Sequence, residues 1–128
     1  MILLLDTSTP ICRLSFIEGD WRYDTMWEAG RGLAKGLLGF LEQELSFQEK
    51  SWKDVTGLVV FQGPGSFTGL RIGITVFNTL AHANDWPIVG TTGDDWRAEG
   101  LKRLEAGEND EIVLPEYGGE ANITKPRK

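Results

Sequence analysis

Two short stretches hold the residue types that can bind or activate a charged group. The longer is Gly63-Pro64-Gly65-Ser66-Phe67-Thr68-Gly69-Leu70-Arg71-Ile72-Gly73, and the shorter is Asp6-Thr7-Ser8. In the longer one, Gly63, Pro64 and Gly65 make a tight turn and Ser66 is placed to cap the helix that follows. Free backbone N–H groups at the positive end of a helix dipole attract phosphate or carboxylate. The candidate anion-binding groups are therefore Gly63, Gly65, Ser66, Thr68 and Arg71, with Asp6, Thr7 and Ser8 beside them. Arg71 can neutralise an anion or pair with a partner, and a plain surface ion pair weighs as much. Asp6 ends an apolar strand and can hold a hydrated magnesium ion, although Asp-Thr-Ser is equally an ordinary turn. The turn lacks the Gly-Lys-Ser or Gly-Lys-Thr ending of a P-loop and the G-x-G-x-x-G spacing of a dinucleotide site.

Other chemistries are excluded by counting. One histidine and one cysteine supply no cluster of metal ligands. His82, late in an apolar helix, reads as a packing or helix-end residue, and Cys12 as a small buried side chain with no base to activate it. The lone cysteine forms no internal disulfide, which fits a reducing compartment. No apolar run approaches the length of a membrane span, and the opening Met1-Ile2-Leu3-Leu4-Leu5 stops too soon for a signal peptide, so the expected location is cytoplasmic. With 13 Lys plus Arg against 19 Asp plus Glu, the net charge of −6 gives no overall attraction for nucleic acid. Any RNA is expected to be held by a partner.

These residues need elements to position them, and hydrophobic periodicity supplies them. Strands are expected over residues 1–6, 11–18 and 21–28, with a hairpin turn at Gly19-Asp20. A helix follows from Gly32 to Phe47, then a buried strand at 57–61, a helix from Ser66 to about Asn84, a strand at 86–90 and a third helix over 94–106 with Trp96, Leu101 and Leu104 turned inward. Residues 112–114 are expected as a last edge strand, and residues 115–128, ending Lys125-Pro126-Arg127-Lys128, as a polar, solvated tail. The order is that of a mixed α/β sheet in one domain, residues 1–114. Gly32, Gly36 and Gly39 recur at helical spacing, as do Gly69 and Gly73. The first three weaken their helix by ~1 kcal/mol each relative to alanine. They indicate either close approach by another helix or a loose helix start.

The opening Ile2-Leu3-Leu4-Leu5-Asp6-Thr7-Ser8-Thr9, Cys12 after it, and the 63–73 motif together resemble the TsaB (YeaZ) family of bacterial tRNA-modification proteins. The resemblance runs from residue 1 to about 92, and Leu114-Pro115-Glu116-Tyr117 is weakly similar to a Pro-x-Tyr near the end of family members. It implies a ribonuclease H-like lobe of the actin-like ATPase superfamily, formerly filed with M22 glycoproteases. It further implies a noncatalytic subunit that makes threonylcarbamoyladenosine in tRNA with a catalytic TsaD and an ATPase TsaE. Two departures stand out: most of the family's second lobe is missing, and Gln62 replaces an arginine before Gly-Pro-Gly. The resemblance thus implies no nucleotide held autonomously, with ATP and magnesium bound only in the complex. Docking through the first two helices would use Gly32, Leu33, Gly36, Leu37, Gly39, Phe40, Gly69, Ile72, Gly73, Val76 and Phe77, toward TsaD or a second copy. On that basis Gly36→Leu or Gly73→Leu should leave the fold intact and abolish the complex. The alternatives are a nucleotide- or phosphate-binding enzyme built on Asp6, Ser66 and the 63–69 turn, and a decayed copy with no partner.

Overall fold

The computed structural model describes residues 1–117 of the 128. Eight principal elements follow one another: β1 (Ile2–Asp6), β2 (Ile11–Glu18), β3 (Trp21–Glu28), α1 (Leu33–Phe47), β4 (Gly57–Phe61), α2 (Phe67–Asn84), β5 (Ile88–Thr91) and α3 (Trp96–Glu105). Short 3-10 turns at Gly30–Gly32 and Trp52–Asp54 join them. The strands form one sheet in the order β3-β2-β1-β4-β5. The first three run antiparallel as a meander, while β4 and β5 are parallel to β1. Parallel neighbours require crossovers, which α1 and α2 supply.

The apolar run of β1 follows from its central place. Leu3, Leu4 and Leu5 are all fully buried because both faces of the sheet are covered there. Leu3 sits between Phe16 of β2 and Leu58 of β4 in register. On one face, Leu3, Leu5, Leu14, Phe16 and Val60 pack under Leu37, Leu41, Leu70, Ile74 and Phe77 of α1 and α2. On the other, Leu4, Val59 and Val89 pack under Trp96 of α3. The β-branched residues of α2 are weak helix formers, and burial compensates; truncating a fully buried side chain such as Phe77 costs roughly 3–5 kcal/mol. This strand order with helices on both faces is a ribonuclease H-like lobe of the actin-like ATPase superfamily. Among the described residues no helix is long and apolar enough to cross a membrane.

The structure departs from expectation at the far edge. Residues 112–114 are not a strand. The free edge of β5 is satisfied largely by side chains: Ile88 N donates to Asn109 Oδ1 at 3.1 Å, Gly90 N to Asp110 Oδ2 at 2.9 Å, and Arg103 Nη1 to the Gly90 carbonyl at 3.0 Å. One backbone bond, Asp110 N to the Ile88 carbonyl at 2.8 Å, completes the cover. An edge already occupied offers no ladder to a further strand.

Residues 112–117 instead cross toward α2 as an irregular strap. Asn78 makes two bonds with Val113, donating from Nδ2 to its carbonyl and accepting its N–H, each at 2.9 Å. Val113 is 2% exposed. The packing therefore continues past residue 114 into Pro115, Glu116 and Tyr117, whereas the basic residues Lys125, Arg127 and Lys128 lie outside the described part. Asn78→Ala should release the strap: we expect a loss of about 1–2 kcal/mol in urea unfolding and new protease cleavage between Glu111 and Tyr117, read by mass spectrometry.

Candidate functional site

Both chemically suggestive stretches lie at the C-terminal ends of adjacent parallel strands, where α/β sheets gather ligands. β1 ends in Asp6, whose Oδ1 accepts the N–H of Ser8 at 2.8 Å and closes a local turn. β4 ends in Phe61, and the chain then passes through Gln62, a cis Gly63–Pro64 bond and Gly65 into Ser66, the N-cap of α2. Ser66 Oγ accepts from Gly69 N at 3.2 Å.

The two turns lock onto each other. Ser66 N donates to the Ser8 carbonyl at 2.8 Å, and the buried Thr7 hydroxyl donates to the Gly69 carbonyl at 2.7 Å. A Cβ on Gly65 would overlap Ser8, one on Gly69 would overlap the Thr7 carbonyl, and one on Gly73 would stand 2.8 Å from Thr7 Cγ2. Close approach of two backbones is what these glycines permit. The 63–73 motif is thus a joint between β1 and α2. Much of its donor capacity is engaged inside the chain: Ser66 N and Gly69 N are occupied, and Asp6 Oδ1 is bonded to its own turn. Thr68 and Arg71 remain exposed beside it.

The strap closes the other side of the turn. Gly63 has φ +123°, and a Cβ there would overlap the Glu116 carbonyl. Gln62 donates from Nε2 to the Leu114 carbonyl at 2.8 Å, and its own carbonyl accepts from Glu116 N at 2.7 Å. Tyr117 stacks on Phe67 with ring centroids 4.1 Å apart, and the Arg71 guanidinium lies 5.5 Å from the Phe67 centroid. Gln62 therefore acts as a strap anchor, a role the sequence does not suggest; the polar Asn78 inside an apolar helix is the one local signal that something docks there.

The residues named for a docking face divide sharply. Leu33, Leu37, Phe40, Gly73 and Phe77 are buried in the core, Gly36, Gly69, Ile72 and Val76 are half-buried, and Gly32 and Gly39 are exposed with open space where a Cβ would stand. A Cβ on Gly36 would come 2.8 Å from Cη2 of Trp27 on β3. Gly36, Gly69 and Gly73 thus face neighbours within the chain; leucine at Gly73 would collide with the buried Thr7, against the expectation that it spares the fold, and leucine at Gly36 would require the Trp27 ring to shift. The outward face lies one step further round the helices. Ala34, Thr68, Arg71, Ile72, Thr75 and Val76 line a groove of about 420 Å³ between α1 and α2. Leu38, 48% exposed, also faces outward from α1.

Cys12 is 1% exposed on β2, and burial, then the nearby Asp6 carboxylate, pushes its thiol up to about 12. It stays protonated and is no nucleophile. His82 lies on the exposed side of the last turns of α2. Among the described residues no group of three or more His, Cys, Asp or Glu side chains is placed to hold a metal ion.

Comparison with known proteins agrees with this architecture. The family model described as "TsaD: tRNA N6-adenosine threonylcarbamoyltransferase" matches residues 28–100. The tRNA threonylcarbamoyladenosine biosynthesis protein TsaB of Escherichia coli (strain K12) is 29% identical over 94% of this chain and 56% of its own length. TsaB of Haemophilus influenzae is also 29% identical, over 84% of this chain and 46% of its own. The structure of YeaZ from Pseudomonas aeruginosa superposes with a TM-score of 0.68 at 28% identity, covering 83% of this chain and 49% of that one. The chain spans about half the length of the relatives it matches.

Two measurements check this geometry. Gly73→Leu should destabilise the fold by ~3 kcal/mol or more in denaturant unfolding, since Thr7 cannot yield without breaking its bond to Gly69. Cys12 should resist iodoacetamide until the chain unfolds. With an ordinary thiol value of 9.0 raised to about 12, stability should also fall as pH climbs from 9 toward 12, because only the unfolded thiol ionises there.

Proposed function

The chain belongs to the tRNA N6-adenosine threonylcarbamoyltransferase (TsaD) family and is similar to its TsaB (YeaZ) members; from that premise we propose that it is a noncatalytic scaffold subunit in threonylcarbamoyladenosine modification of tRNA. Its outer α1–α2 face docks a TsaD-like catalytic subunit, in the cytoplasm. The observation that carries this is the groove lined by Ala34, Ile72, Thr75 and Val76, with Leu38 exposed on the same pair of helices. Apolar side chains held in water on a rigid helix pair favour a helical partner. Arg71 on the same rim gives an acidic side chain of that partner something to pair with.

A TsaE-like ATPase joins the pair in this scheme, and tRNA is reached through the catalytic subunit, consistent with the net charge of −6. ATP and magnesium bind only once the partner completes the site. The internal engagement of Ser66 N, Gly69 N and Asp6 Oδ1 favours this over a self-sufficient nucleotide enzyme. The same face can also pair two copies of the chain when the partner is absent.

The test is the mass in solution of the chain with and without a TsaD from the same cell. A heterodimer is expected, and Leu38→Glu or Thr75→Arg, both at exposed positions, should weaken it at least about tenfold while leaving the melting temperature unchanged. Heterodimer formation untouched by both variants would remove this face from the interface; tight ATP binding by the isolated chain, lost in Asp6→Ala, would favour the enzyme instead.

A further inference from the structure

The face of the sheet opposite α1 and α2 is unevenly covered. α3 packs on β4 and β5, and the alternate residues of β2 and β3 on that side are Arg13 and Ser15, then Arg22, Asp24 and Met26. Strand alternation that places arginine between Cys12 and Leu14 puts its charge on the side away from the main core. Across from these strands, the first turn of α3 contributes Arg97. Arg13, Arg22 and Arg97 thereby line one cavity of about 290 Å³ together with Ser15 and Asp24.

Three guanidinium groups around one small cavity repel one another, so their arrangement must be held by other contacts. Arg22 is held by Asp24, with Nε 3.0 and 3.1 Å from the two carboxylate oxygens, and Ser15 Oγ donates to Asp24 Oδ1 at 2.6 Å. Burial works against the Asp24 charge, yet the Ser15 hydroxyl and Arg22 hold its carboxyl below the ordinary value. Arg97 is held differently: its guanidinium lies 4.5 Å from the ring centroid of the buried Trp96. Its Nε is removed from solvent and has no hydrogen-bond partner among the described residues. Burial, then the neighbouring Arg22, pulls Arg97 below its ordinary value, with Asp24 and Asp6 opposing and Arg13 adding to the shift. Three positive groups thus meet two carboxylates, of which Asp24 is already claimed by Arg22 and Ser15.

Arg13 and Arg97 line the cavity and make no side-chain hydrogen bond or ion pair among the described residues, so guanidinium donors are left for an anion. Forked guanidinium donors from two sides suit a tetrahedral oxyanion better than a point charge does. We propose that Arg13, Arg22 and Arg97 form a binding pocket for a phosphoryl group on the open β2–β3 face of the sheet. The group comes either from a small phosphate compound such as a nucleotide or from the backbone of an RNA. The pocket lies on the opposite side of the sheet from the α1–α2 groove, so the two sites stand or fall separately.

The isolated chain is titrated with inorganic phosphate, with ATP free of magnesium, and with an RNA oligonucleotide, following the arginine Nε–Hε resonances and the heat of binding. Saturable shifts at Arg13 and Arg97 are expected with at least one of the three. The double variant Arg13→Gln with Arg97→Gln should weaken that binding at least about tenfold, and Arg13→Lys with Arg97→Lys should retain part of it. ATP saturating at or below the concentration of the oligonucleotide identifies a small-molecule site. RNA binding tighter than ATP, with a salt dependence that falls by close to one unit per arginine removed, identifies the backbone. Absence of shifts with all three ligands overturns the assignment, as does unchanged affinity in the glutamine double variant. If that variant does not fold, the resonances of the unaltered chain decide between the same outcomes.

Discussion

The contact between the β1–β2 turn and the start of α2 sets the geometry of the rest. Thr7 is buried and bonded to Gly69, Ser8 takes the N–H of Ser66, and no side chain stands between the two backbones at Gly65, Gly69 or Gly73. Helix α2 is held at that distance from β1 at its N-terminal end. Leu70, Ile74 and Phe77 consequently reach the sheet, and α1 packs beside α2 over the same core. A motif that looks like an anion cradle in isolation is, in the folded chain, mostly a strand-to-helix joint. Its glycines serve close approach of two backbones, and two of its donors, Ser66 N and Gly69 N, are taken by Ser8 and by the cap itself.

The same joint explains the strap. Gln62 and Gly63 lie at the end of β4 where a side chain at Gly63 would collide with Glu116, so the C-terminal segment can settle across the turn and stack Tyr117 on Phe67. Asn78 and Gln62, two amides on different elements, fix the strap at Val113 and Leu114 through backbone groups that a strand would otherwise have paired. The edge of β5 is closed by Asn109, Asp110 and Arg103 in the manner expected of a sheet that avoids edge-to-edge association. Gln62 therefore anchors the strap through its side-chain amide and its backbone carbonyl.

The two sides of the sheet carry different surfaces. Over α1 and α2, Leu38 and the groove lined by Ala34, Ile72, Thr75 and Val76 remain in water among charged neighbours such as Lys35, Glu42 and Arg71. Over β2 and β3 three arginines gather beside Asp24, Ser15 and the exposed Met26, although the chain as a whole carries −6. Net charge describes attraction at long range, whereas a pocket of a few ångströms is governed by the groups that line it. One lobe can thus present an apolar protein-docking face and a positive pocket without conflict, since the sheet separates them.

The order of strands and helices was legible in the sequence to within about two residues at most ends, since amphipathic period and turn residues are local signals. The 63–73 motif and the Asp6 turn were legible too, as a pair of turns at strand ends. What the sequence could not decide is which neighbour each helix face meets. Helical spacing grouped Gly36 with Gly32 and Gly39, but only packing places Trp27 against Gly36 and leaves the other two open. Leu33, Leu37, Phe40 and Phe77 were grouped with the docking face because a broad apolar arc looks the same whether it meets a sheet or a partner. The strap and the arginine pocket depend on residues separated by up to 84 positions, from Arg13 to Arg97, and such contacts leave no periodic trace. Composition and period determine the elements of this lobe; the distances between them, and hence the faces that remain for ligands and partners, exist only once the chain has closed on itself.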